Sequence, residues 1–143
     1  MGKLPSKGRL MSNLVTDTHA LIWYLEDSSR LSAAANQAFE ECERGEIVIY
    51  IPTICLVEIV YLQEKGRISA DMKSQLDTAL IARNSGMILA NLTDEVVTAL
   101  ATIPRDSVPD MPDRIIAATA KYLGLPLISR DTRMPLSGIA IIW

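Results

Sequence analysis

The amino-acid sequence predicts an α/β fold in which helices cover both faces of a parallel sheet. Short runs rich in β-branched and aromatic residues, such as Ile47–Ile51 and Met87–Asn91, alternate with longer helical stretches, the pattern of successive βαβ units. Glycines at 45, 66 and 124 stand where those stretches end, as helix stops should. A hydrophobic fraction of 49% with 22% charged residues supplies a core without making the chain a membrane protein.

In chain order, Asn13–Thr16 is the first predicted strand, and Thr18 to Glu26 is a brief helix with Ala20, Leu21, Trp23, Tyr24 and Leu25 apolar. An amphipathic helix follows from Leu31 to Arg44. After the strand Ile47–Ile51, Thr53 is placed to cap a helix running to about Lys65. Ser69 is placed to cap the next, Ala70 to Arg83. Met87–Asn91 is the third strand, and Thr93 caps a helix to about Ile103. The proline-rich IPRDSVPDMP leads into a helix from Asp113 to Leu123, with Pro126–Ser129 and Ile139–Trp143 as the last strands.

At 143 residues the chain has room for one domain, expected over residues 13–143, with residues 1–12 as a disordered leader or non-native residues. No apolar run reaches the roughly 20 residues that span a bilayer, and the N-terminus lacks the apolar core of a secretory signal. Cys42 and Cys55, with one histidine in the chain, make neither a zinc site nor a disulfide framework; two reduced thiols in a cytoplasmic protein is the expectation. Net charge is −3. Residues 1–12 hold three bases and no acid, so residues 13–143 carry 11 bases against 17 acids, a net −6. That sign excludes a protein that grips nucleic acid by bulk electrostatics, and any such chemistry would need cations to offset repulsion.

Glu58 is the only charge between Ile47 and Leu62, in IVIYIPTICLVEIVYL. Burying a lone carboxylate costs several kcal/mol, so such a group is paired, protonated or metal-bound, and this segment offers no Lys, Arg or His. Other acids take comparable places. Asp17 follows the first strand, Asp113 opens the helix before the fourth, and Asp131 comes just after the fourth, within SRDTRM. Each has a plain alternative: Asp17 as an N-cap, Asp113 as a helix-dipole partner, Asp131 as a turn residue. Together they sit at one edge of the predicted sheet, where α/β folds gather functional groups. Converging carboxylates suit a hard divalent cation such as Mg²⁺ or Mn²⁺, which can hold a phosphodiester and activate water.

The segments VTDTHALIWYLE, TICLVEIVYL, MPDRIIAATAKYLGLPLISRD and IAIIW, in this order and spacing, resemble the PIN-domain family, in particular its VapC-type toxins. The resemblance runs from about Asn13 to Trp143. It implies a PIN-like three-layer sandwich around a five-stranded parallel sheet of order 3-2-1-4-5. It also implies an Mg²⁺- or Mn²⁺-dependent endoribonuclease whose acidic quartet, both catalytic and metal-binding, is Asp17, Glu58, Asp113 and Asp131. Ser129 and Thr18 are then supporting hydroxyls, and Asp110 is an N-cap. Arg114, Arg130 and Arg133 are candidates for holding RNA phosphates. His19 is expected in a polar or structural contact, and Trp23, Tyr24 and Tyr61 in core or dimer packing rather than base stacking.

As a VapC-type toxin the chain would cleave single-stranded or loop RNA, pair as a homodimer and be neutralised by a small antitoxin. The acidic cleft suits a basic residue from that partner, whose amphipathic helix is expected in an apolar groove near Trp23 and Tyr24. One alternative is a PIN-domain RNA-processing nuclease without an antitoxin. A phospho-acceptor receiver domain is disfavoured, because the third strand ends in MILAN without an acid and PLIS is followed by arginine.

Overall fold

The computed structural model describes residues 13–82, 86–134 and 138–143; the expectation of a leader over residues 1–12 lies outside them. Five strands form one sheet: β1 (Leu14–Thr16), β2 (Ile49–Pro52), β3 (Met87–Ala90), β4 (Leu127–Ile128) and β5 (Ile141–Ile142). All four pairings are parallel, in the order β3-β2-β1-β4-β5. The described helices are α1 (Thr18–Leu25), α2 (Ala33–Glu43), α3 (Thr53–Glu64), α4 (Met72–Ile81), α5 (Asp94–Ala101) and α6 (Met111–Leu123).

Successive strand residues point to opposite faces, and Leu14, Val15 and Thr16 are all buried, as are Leu127 and Ile128. The centre of the sheet is therefore covered on both sides, as parallel sheets require. Helix α6 lies against β1 and β2 and packs with α5, while α1 packs with α2, α3 and α4. Ile116, Ala117 and Ala120 of α6 are fully buried, the small residues letting the helix approach the sheet.

Most elements lie where the sequence places them, with shorter strands at the ends of the chain. Three caps differ. Ser32, not predicted, caps α2 by accepting the Ala35 N–H at 3.1 Å. Thr53 is already helical: Pro52 holds the cap position without a side-chain bond, and the Thr53 hydroxyl donates to the Ala90 carbonyl at 3.1 Å, tying α3 to β3. Ser69 does not cap α4, which begins later, at Met72; its hydroxyl donates to the Asp71 carboxylate. A hydroxyl with a better acceptor across the sheet or in its own turn is lost to the helix end, and at α4 the Gln63 side chain accepts the Lys73 N–H instead, at 2.6 Å. By contrast, Thr93 caps α5 through the Val96 N–H, and Gly124 closes α6 in a left-handed conformation with φ 69°.

The apolar segment around Glu58 is less interior than its composition suggests. Within α3 only Cys55 and Ile59 are buried, while Tyr61 is 60% exposed and Val57 also faces outward. The helix is apolar nearly all round but has one face on the core.

Gly86, just before β3, has φ 66°, and a Cβ there would come within 2.6 Å of the Cys42 carbonyl oxygen and 2.8 Å of that of Ile47. Gly66 has a similar φ of 69° but open space around it. Gly66→Ala should cost about 1–2 kcal/mol from backbone conformation alone. Gly86→Ala should cost about 3 kcal/mol or more, because two backbone oxygens must also give way. Urea unfolding of both variants checks this; equal losses would show that the approach to α2 carries no weight.

Candidate active site

Strand β1 pairs with β4 so that Thr16 stands opposite Ile128, and the Asp17 N–H donates to the Ile128 carbonyl at 3.1 Å. The chain then leaves the sheet at Asp17 on one side and at Ser129 on the other. Asp17 is the N-cap of α1, accepting the Ala20 N–H at 2.9 Å, and is 7% exposed. The Ser129 hydroxyl accepts the Asp131 N–H at 3.1 Å and itself bonds the Asp17 carboxylate. Asp131 in turn accepts the Arg133 N–H at 2.9 Å, a turn that holds its carboxylate at the rim.

Asp113 lies in the first turn of α6, its N–H taken by the Asp110 side chain at 3.1 Å. Asp17, Asp113 and Asp131 share one pocket of about 600 Å³. The same pocket is lined by Arg30, Arg130 and Arg133, with Trp23, His19 and Thr132 completing it. Glu58, half-buried on α3, lines not this pocket but an adjoining apolar cleft, and its Oε1 accepts a hydrogen bond from the Thr18 hydroxyl. Glu58 and Asp17 each raise the pKa of Asp113 through their charge.

The electrostatics follow from this crowding. Burial first, then the charges of Asp110, Asp131, Glu58 and Asp17, push the Asp113 carboxyl up to about 7. Burial also raises Asp17, against the bonds from Ser129 and Ala20, and raises Glu58, against the Thr18 hydroxyl. The buried Cys55 thiol is pushed up by desolvation and is inert at neutral pH.

The oxygen-only donor set and its mutual repulsion match the chemistry of a hard divalent cation. Among the described residues, no three His, Cys, Asp or Glu side chains already close into a metal cage.

The profile of the PIN domain matches residues 14–138. The chain belongs to the PIN-domain family. Ribonuclease VapC22 of Mycobacterium tuberculosis (strain ATCC 25618 / H37Rv) is 27% identical over 124 residues, which cover 87% of this chain and 91% of that protein. Two solved structures share this fold. VapBC2 from Rickettsia felis, bound to a promoter DNA fragment, superposes with a TM-score of 0.67 at 15% identity, covering 90% of this chain and 96% of that one. A toxin–antitoxin complex from Klebsiella pneumoniae gives 0.58 at 24% identity, covering 84% and 88%.

Other predicted residues have varied fates in this PIN domain. Arg114 is turned away from a phosphate-binding role: its Nη2 donates to the carbonyls of Leu100 and Ile103 at 3.2 and 2.9 Å, closing the end of α5. Trp23 is buried against Trp143, with ring centroids 5.8 Å apart, and Tyr24 stacks on Phe39 at 4.3 Å. These rings are part of the packing, as expected of them. An apolar cleft of about 400 Å³ lies between α1, α3 and the start of α6, lined by Ile54, Val57, Tyr61, Leu62, Met111 and Pro112. His19 and Glu58 also face it. Arg30 and Thr132 are the pocket residues the sequence did not reveal; Arg30 ends a polar turn, EDSSR, that carries no periodic signal.

A carboxyl raised to about 7 in the native state, against a reference of 3.8, holds its proton while the unfolded chain has already lost it. Between those pH values the native state binds more protons, so stability falls as pH rises and levels off above about 7. In EDTA, the Asp113→Asn variant should lose less stability than the parent between pH 5 and 7.5. The difference should be on the order of 1–2 kcal/mol, after discounting solvent screening of a half-exposed group. Urea midpoints across this range test it, and parallel pH profiles would remove Asp113 from the repelling cluster.

Proposed function

We propose that this PIN domain is an endoribonuclease toxin that hydrolyses single-stranded or loop RNA and is held in check by a small antitoxin protein. The observation that carries the reading is the meeting of Asp17, Asp113 and Asp131 in one pocket beyond β1 and β4, with Glu58 near enough to act on Asp113 through its charge. The VapC22 ribonuclease relative and the toxin–antitoxin neighbour support it.

Asp17, Glu58, Asp113 and Asp131 would hold Mg²⁺ or Mn²⁺. When bound, such an ion neutralises charge on the phosphodiester and lowers the pKa of an attacking water. The rest falls to the chain's own groups. Ser129 and the Ala20 N–H fix the Asp17 carboxylate, and Thr18 engages one oxygen of Glu58. The Asp131 carboxylate is set by its turn. Arg130 and Arg133 at the pocket wall offer charge to the RNA backbone. The −6 domain repels RNA elsewhere, so binding depends on this pocket and its cation.

Exposed Val57, Tyr61 and Met111 around the apolar cleft offer a surface for a protein partner, either the antitoxin or a second copy in a homodimer. No helix among the described residues is long and apolar enough to cross a membrane. A cytoplasmic setting fits RNA as substrate and completes the proposal.

Cleavage should require Mg²⁺ or Mn²⁺ and stop in EDTA. Either ion at 100 times its dissociation constant should stabilise the fold by about 2.7 kcal/mol. Asp17→Asn and Asp113→Asn should lower cleavage at least about 100-fold without unfolding the protein, since Asn also caps a helix and like-charge repulsion falls. Cuts in a structured RNA should concentrate in loops. Melting curves with a gel assay read all of this, and full activity in either variant would sink the acid-site reading. Co-expression with an adjacent small gene should give an inactive complex; a free, non-toxic nuclease would instead indicate RNA processing.

A further inference from the structure

Three of the 11 bases in residues 13–143 line one pocket in a domain that is otherwise acidic: Arg30, Arg130 and Arg133. They share that pocket with Asp17, Asp113 and Asp131, yet among the described residues none of the three arginines forms an ion pair. Positive and negative walls are thus held apart rather than closed on each other. Arg130 has a specific support. Its guanidinium carbon lies 4.7 Å from the centroid of the Trp23 ring, which is 7% exposed and also packed against Trp143 and His19. A buried indole does not move to follow a ligand, so the planar cation above it is pre-positioned by cation–π attraction.

A phosphodiester chain carries one charge per nucleotide. A phosphate drawn to the acids and their cation brings its neighbour along, and that neighbour meets repulsion unless a cation awaits it. We propose that Arg30, Arg130 and Arg133 form a subsite for the phosphate next to the scissile one, with Trp23 as the positioning residue that holds Arg130. The inference rests on the nuclease reading and extends it: the substrate must continue past the cut on the arginine side. Charge-assisted bonds from a pre-set guanidinium bind phosphate more strongly than a mobile ammonium does.

The test uses the full chain carrying Asp113→Asn, to prevent turnover, and a fluorescein-labelled oligouridylate. Binding is followed by anisotropy in Mg²⁺ over a KCl series. Adding Arg130→Ala should weaken binding about tenfold and reduce the slope of log affinity against log salt by about 0.7, the loss of one phosphate contact to a single strand. Arg30→Ala should act in the same direction. Arg130→Lys should keep the salt slope, since the charge remains, yet still weaken binding, because an ammonium lacks the planar seat on Trp23. Arg44→Ala, which removes an exposed arginine paired with Glu46, serves as a control that leaves binding unchanged. Unchanged affinity and slope in Arg130→Ala would overturn the subsite, and wild-type binding in Arg130→Lys would overturn the role of Trp23. The parent chain is assayed for cleavage in parallel. Cleavage with arginine-independent binding rejects the subsite alone, whereas arginine-dependent binding without cleavage of any RNA rejects the nuclease reading.

Discussion

Strands β1 and β4 run parallel in a register that sets Thr16 opposite Ile128, so the residues that follow leave the sheet side by side. Everything in the pocket depends on that pairing. Asp17 comes from the first strand and Ser129 with Asp131 from the fourth, and a slip of one residue would turn their side chains to the other face. The flanking order places β2 and β3 on one side and β5 on the other, so chain connections diverge here and leave a crevice. Helix α6 then brings Asp113 to the same crevice, while α3 holds Glu58 just outside it, its charge reaching Asp113.

The fold tolerates this concentration of acid by spending local dipoles on it. Asp17 caps α1 and Asp113 sits in the first turn of α6, so two of the four acids stand at the positive ends of helices. Glu58, in mid-helix, has no such support and takes a hydroxyl from Thr18 instead. These devices are partial. Burial and like charge still lift Asp17, Glu58 and Asp113 above the ordinary carboxylate range, so the pocket stays hungry for positive charge.

The layout of the fold was legible because strands and helices here obey simple periodicities. The parallel sheet and the Gly124 stop follow from patterns local to a few residues, while the strand order came with the family resemblance. Asp17, Asp113 and Asp131 could be expected near one another for the same reason, since each stands at a fixed offset from a strand or helix end. What escaped was decided by long-range competition. Thr53 had a carbonyl across the sheet to bond, Arg114 had the open end of α5 beneath it, and Arg30 reached the pocket through a turn whose path no periodicity describes. Val57 and Tyr61 mark another limit, for an apolar helix does not announce which of its faces will be left uncovered.

The central strand of the sheet is the first one in the chain, and its neighbour β4 lies more than a hundred residues later. During synthesis β1 can pair with β2 early, but its other edge stays open until residues 127 and 128 have emerged. Asp131 follows only three positions after that strand closes. A growing or truncated chain therefore holds scattered carboxylates and no pocket. Assembly of the pocket thus waits for β4 and the turn after it, long after β1 has had β2 to pair with.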